Sequence, residues 1–148
     1  MKTRNLICLA LFAGLIGVGP AAADKTCYQL ATMKFKNKGG YTVKEYYVMF
    51  EDADGKKNED VGISTATYTG DTRTVDMVEV EGLKIGDEVW GKVNIEGGDR
   101  EGCRKDGNVF YYARSGGTVT YQTAGTTRNN NRCELVNKPD DKHIIDCP

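Results

Sequence analysis

The sequence predicts an all-β domain, an antiparallel two-sheet sandwich of about eight strands cross-linked by disulfides. Three observations carry that prediction. Short runs rich in Val, Tyr, Thr and Phe recur about every ten residues. Clusters of Gly, Asp and Asn separate them, in a chain with 18 glycines and only 3 prolines among 148 residues. Apolar residues at helical spacing are scarce. A closed β-barrel is the alternative architecture. A single open sheet would leave too many apolar side chains in water.

The elements follow in order. Lys2 and Arg4 precede an uncharged apolar run, residues 6–18, followed by Pro20 and three alanines before Asp24. That order marks a secretory signal peptide over residues 1–23, removed after Ala23. The run is shorter than the roughly 20 residues of a spanning helix. Residues 24–148 then form one domain, secreted or periplasmic, with no transmembrane segment. Cys27 lies too far past the cleavage point to be a lipid-attachment cysteine. The mature chain carries 18 basic against 21 acidic residues. A mildly acidic chain lacks the basic surface that nucleic-acid binding needs.

A first strand is expected at 28–36, with Ala31, Met33 and Phe35 on one face. Asn37-Lys38-Gly39-Gly40 turns the chain into a long strand, 41–51. Asp52-Ala53-Asp54-Gly55 is the next turn, with Gly55 suited to positive φ. Strands at 61–69 and 72–80 follow. Strand 88–96 alternates cleanly: Val89, Gly91, Val93 and Ile95 share one face, while Glu88, Trp90, Lys92 and Asn94 share the other. Strands 108–114 and 118–123, joined by Ser115-Gly116-Gly117, read as a hairpin. A polar stretch, 126–131, leads to a last strand, 132–137.

Four cysteines remain once Cys8 leaves with the signal, and an even count in an exported chain points to disulfides. Three pairings are open. The favoured one joins Cys103 to Cys133, tying the expected hairpin's entrance to its exit, and Cys27 to Cys147, stapling the two ends. No Cys-x-x-Cys spacing supports a redox or metal role.

No catalytic constellation is evident. His143 is the only histidine, in a polar terminal run, where an exposed tail residue is expected. One histidine excludes a multi-histidine zinc site. Asp52-Ala53-Asp54-Gly55 lacks the register of a calcium loop, since Phe50 and Val61 stand where acids are needed. The cluster of Glu51, Asp52, Asp54, Glu59 and Asp60 leaves at most weak calcium binding, and no metal or cofactor is expected. Carboxylate pairs exist, yet none is singled out for glycoside hydrolysis. The glycine pairs sit between strands, without the following helix a phosphate loop requires.

The aromatic side chains point to contact. Trp90 falls on the polar face of its strand, and Tyr111-Tyr112 sends one ring to each face. Rings on a rigid sheet stack on sugars, insert at lipid headgroups or anchor a protein. Arg128 and Arg132, in and beside the polar 126–131 stretch, suit an acidic or glycan ligand.

Residues 36–44 (Lys-Asn-Lys-Gly-Gly-Tyr-Thr-Val-Lys), 83–90 (Leu-Lys-Ile-Gly-Asp-Glu-Val-Trp) and 125–130 (Gly-Thr-Thr-Arg-Asn-Asn) together resemble small secreted β-sandwich proteins that open with Asn-x-Gly-Gly-Tyr-x-x-Lys. More distantly the opening resembles aegerolysin and cytolysin-like sandwiches. The resemblance covers about residues 28–135 and consists of strand-and-turn chemistry. It implies a sandwich fold and transfers no functional residue. The four cysteines depart from the cytolysins, which argues against lytic activity.

The expected function is that of an exported, soluble, non-enzymatic binding protein whose partner is a protein, glycan or lipid surface. Its contact candidates are Trp90, Tyr111, Tyr112, Arg128 and Arg132. The alternatives are a membrane-binding, cytolysin-like protein and a hydrolase using two carboxylates.

Overall fold

The computed structural model describes residues 25–148, so the expected signal segment lies outside the described residues. Ten strands form: β1 (Thr26–Asn37), β2 (Val43–Glu51), β3 (Lys57–Ile63), β4 (Thr72–Asp76), β5 (Glu88–Ile95), β6 (Arg100–Gly102), β7 (Asn108–Tyr112), β8 (Gly117–Ala124), β9 (Arg132–Asn137) and β10 (Ile144–Ile145). No α-helix occurs among the described residues; Met77–Glu79 and Asp141–His143 are single 3-10 turns. The fold is all-β, as expected, and is not a closed barrel; its strands join in one open sheet that is mixed and not wholly antiparallel, since β7 and β8 run parallel to β1. Its strands run β3-β2-β5-β7-β1-β8-β9, with β4 and β10 on β1 and β6 on β5.

β1 organises the fold. Its first half pairs with β7 and its second half with β8, with a register break between Leu30 and Thr32. The break lets one strand serve two layers. The layers pack face to face: Phe35 of β1 stacks on Tyr46 of β2, ring centroids 4.5 Å apart, although β1 and β2 are not neighbours in the sheet. Gly91 of β5 makes room for this contact. A Cβ there would lie 2.8 Å from the Phe35 ring and 3.0 Å from that of Tyr121. Val89, Gly91, Val93 and Ile95 are all buried, in agreement with the alternation read for β5.

Three strand expectations are corrected. The strand expected over 72–80 ends at Asp76, whose side chain accepts from Val78 N and caps the Met77–Glu79 turn. Strands β7 and β8 are not a hairpin. Both run parallel to β1, one on each side, and the chain crosses over β1 between them. Ala113 N donates to Leu30 O at 3.0 Å, pinning the crossing. Gly116 then passes so close that a Cβ would sit 2.5 Å from the Leu30 backbone. The third strand starts earlier and ends earlier than expected, at Lys57–Ile63 instead of 61–69. Residues after it are claimed by the turn that follows β1: Gly70 N donates to Asn37 O, and Thr69 Oγ1 donates to Gly39 O.

That turn is built on buried Asn37. Its Nδ2 donates to Tyr41 O at 2.8 Å and Thr67 O at 3.0 Å, and its Oδ1 accepts from Gly39 N and Thr123 Oγ1. A buried amide with both its ends satisfied is a strong local determinant. It gives the Asn-x-Gly-Gly-Tyr opening a structural role.

The four cysteines are bonded as Cys27–Cys147 and Cys103–Cys133. Disulfides of this kind persist in oxidising compartments. No helix among the described residues is long and apolar enough to cross a membrane.

Candidate functional site

The outer face of β2 and β5 carries the polar alternation read from the sequence. Cross-strand register places Glu45 opposite Asn94, Tyr47 opposite Lys92, Met49 opposite Trp90 and Glu51 opposite Glu88. β7 adds Tyr111 beside Glu88. The face divides into a closed half and an open half.

The closed half centres on Tyr47, which is only 5% exposed. Arg100 and Lys92 cover its ring, 5.2 and 5.6 Å from the centroid. Lys92 also pairs with Glu59 at 2.9 Å. Glu45 accepts from the Tyr47 hydroxyl at 2.5 Å and from Asn94 Nδ2 at 2.7 Å. These two hydrogen bonds hold the Glu45 carboxyl below the usual carboxylate range, and the first pushes the Tyr47 hydroxyl up. A depressed folded-state pKa contributes stability above the unfolded value that is lost as pH falls through the folded one. Glu45→Gln is therefore expected to be less stable than wild type at neutral pH. The two should converge as the pH drops through the carboxylate range and below, in denaturant melts repeated across acid pH.

The open half holds a cleft of about 370 Å³ between Glu51, Asp52, Gly86, Glu88, Tyr111 and Pro148. The turn before β5 sets one wall: Gly86 has φ +95°, its N–H donates to Tyr112 O, and Asp87 Oδ2 accepts from Lys84 N. Pro148 forms another wall and follows Cys147, whose disulfide ties it to β1. Burial, then the Glu88 carboxylate, push the Tyr111 hydroxyl up. Trp90 is half-buried next to Glu88, on the same face. The ammonium of Lys105 lies 4.3 Å from the centre of the Trp90 ring and pairs with Glu88.

The contact candidates do not form one surface. Trp90 and Tyr111 share the open half. Tyr112 is 6% exposed and points into the core, because its partner at 111 takes the outer face. Arg128 is exposed in the 126–131 loop, and Arg132 pairs with Glu134. That loop packs on the Gly97-Gly98 turn past Ile95, the far end of β5 from Glu88. Seven residues of strand separate the two ends, about 23 Å. His143 is half-buried against Gly117, not exposed. The acidic cluster is dispersed: Asp52 Oδ1 accepts from Asp54 N and Lys56 N, and Glu59 is paired with Lys92. No group of three metal-ligating side chains occurs among the described residues.

Glu88 was visible as an outer-face acid and Glu51 as one of an acidic cluster, but the role of Lys105 was not. Its reach to Trp90 follows from the return of β6 to β5 and the bond from Cys103 N to Gly91 O, a tertiary pairing with no local sequence signal.

No family profile and no curated protein matches the chain. Solved structures overlap it at low similarity. Listeriolysin O is 15% identical over 75% of this chain and 22% of that one, TM-score 0.40. A non-hemolytic pneumolysin from Streptococcus pneumoniae is 14% identical over 76% and 24%, TM-score 0.39. The isolated membrane-binding domain of pneumolysin is 13% identical over 74% and 98%, TM-score 0.38. The chain spans about a quarter of the length of the first two. At TM-scores this low the overlaps support no statement about family or activity.

Proposed function

We propose that this is an exported, non-catalytic binding protein whose ligand docks on the open half of the outer face, over Trp90, Tyr111 and the adjoining cleft. The carrying observation is the contrast within one face. Around Tyr47 two cations close over the ring, whereas at the Glu88 end a single cation, Lys105, covers the Trp90 ring and the face opens beside Tyr111 into the cleft. A concave site beside aromatic rings with a few convergent polar groups is the usual form of a ligand site. Glu51 and Glu88 stand opposite each other there, the arrangement a two-carboxylate hydrolase would need. Each already faces a lysine, Lys57 at 3.8 Å from Glu51 and Lys105 on Glu88, and the cleft lining holds no histidine. Binding is therefore the reading we prefer to catalysis.

The test is retention of the oxidised protein on immobilised glycans, envelope polymers and phosphatidylcholine vesicles. Trp90→Ala, with a wild-type circular dichroism spectrum, is expected to lose at least tenfold in affinity for whichever surface binds, as an interface anchor does. Unchanged affinity in that variant would refute the proposal. One observation favours a lipid surface as a second reading: Val78 and Ile85, 59% and 65% exposed, stand in the connection beside Gly86. Vesicle binding that is lost in Ile85→Asp would support it.

A further inference from the structure

We infer that Glu88 and Trp90 form a site for an organic ammonium group of the ligand, and that Lys105 occupies this site until the ligand displaces it. The inference rests on the binding reading above and names the ligand's chemical class. A cation over an aromatic face, next to a carboxylate, is how proteins recognise quaternary and primary ammonium groups. Here one chain supplies both host and guest: the Lys105 ammonium lies over the Trp90 ring and against Glu88.

The guest can leave without backbone movement. Lys105 is fixed at its carbonyl, which accepts from Asn108 N at 2.9 Å and Asn108 Nδ2 at 2.9 Å, and two residues earlier Cys103 is tied to Cys133. Only the flexible four-carbon stem needs to rotate. The pair it abandons is about one-third exposed on each side, 31% and 28%, so solvent and salt weaken it. Space for the incoming group lies alongside. Glu88 belongs both to the Trp90 pair and to the cleft wall, where Glu51, Asp52 and the Tyr111 ring continue the same chemistry. An anion entering there would meet the carboxylates of Glu51, Asp52 and Glu88, whereas a cation would find them and the Tyr111 ring, with Trp90 next to Glu88 on the same face. The ammonium of Lys57, 3.8 Å from the Glu51 carboxylate, is 68% exposed and only loosely paired.

The test uses tetramethylammonium chloride as probe, with sodium chloride at equal ionic strength as control. The readout is the emission of Trp90, the only tryptophan of the chain. Lys105→Gln is expected to bind the probe about tenfold more tightly than wild type, because the internal competitor is gone. Adding Glu88→Gln should abolish that gain. Lys105→Met, which keeps the stem and removes the charge, should repeat the Lys105→Gln result. Equal affinity in wild type and both Lys105 variants, or no emission change in variants that keep the wild-type circular dichroism, would overturn the inference. If Trp90→Ala also loses surface binding, that outcome removes the ammonium site and leaves the contact face standing. Tight probe binding together with full surface binding by Trp90→Ala supports the ammonium site and removes the broader reading.

Discussion

Replacing Gly116 by alanine is expected to destabilise the protein by about 3 kcal/mol or more, at the top of the range for overpacking. The position has ordinary φ, so backbone strain is not the cause. The obstacle is the Leu30 backbone, 2.5 Å from where the new Cβ would stand, with Gln29 at 2.7 Å. A flexible side chain could yield, but β1 is held on both sides at this point, by β7 and by β8. Urea melts of Gly116→Ala against Ser115→Ala, an exposed neighbour expected to lie within about 0.5 kcal/mol of wild type, isolate the effect. A Gly116→Ala protein as stable as wild type would mean that the chain does not cross β1 at Leu30.

Removing the Cys27–Cys147 bond, as Cys27→Ser/Cys147→Ser, is expected to cost about 5 kcal/mol in the chain-entropy account, against about 4 kcal/mol for the Cys103–Cys133 pair. The order follows from sequence separations of 120 and 30. The first loss carries a local consequence as well. The final segment joins β1 otherwise through the two-residue β10, so Pro148 would lose its anchor as a wall of the cleft. Denaturant midpoints of the two double variants give the ranking. A larger loss from the 103–133 pair would contradict it.

Much of the fold was legible because strand alternation is a local property. The inner row of β5, from Val89 to Ile95, and the split of Tyr111 from Tyr112 across the sheet both follow from a period of two. The crossing at Gly116 was not legible. Ser115-Gly116-Gly117 between two strand-like runs has the length and composition of a hairpin turn, and only the tertiary position of β1 makes it a crossover. The end of β3 was obscured for a similar reason: Thr67 and Thr69 have strand propensity, but the buried amide of Asn37 and the Gly39 carbonyl claim that stretch as a turn.

The site was half legible. Alternation placed Trp90 and Glu88 on the outer face, and composition alone marked Arg128 and Arg132 as candidates. What composition lacked was distance along β5, which puts the arginines at one end and the cleft at the other. Tyr47 shows the converse. An outward-facing ring by alternation, it is closed off by Arg100 and Lys92, which reach it from β6 and from its cross-strand partner position.

The central claim is that the Glu88 end of β5 is the contact surface. Side-by-side affinities of Trp90→Ala, Tyr111→Ala, Arg128→Ala and Arg132→Ala, on the surface that retains the wild-type protein, test it most directly. The account predicts losses of at least tenfold for Trp90→Ala, a smaller loss for Tyr111→Ala, and wild-type affinity for both arginine variants. Full binding by Trp90→Ala and Tyr111→Ala, with loss confined to Arg128→Ala and Arg132→Ala, would place the surface at the Ile95 end and contradict it.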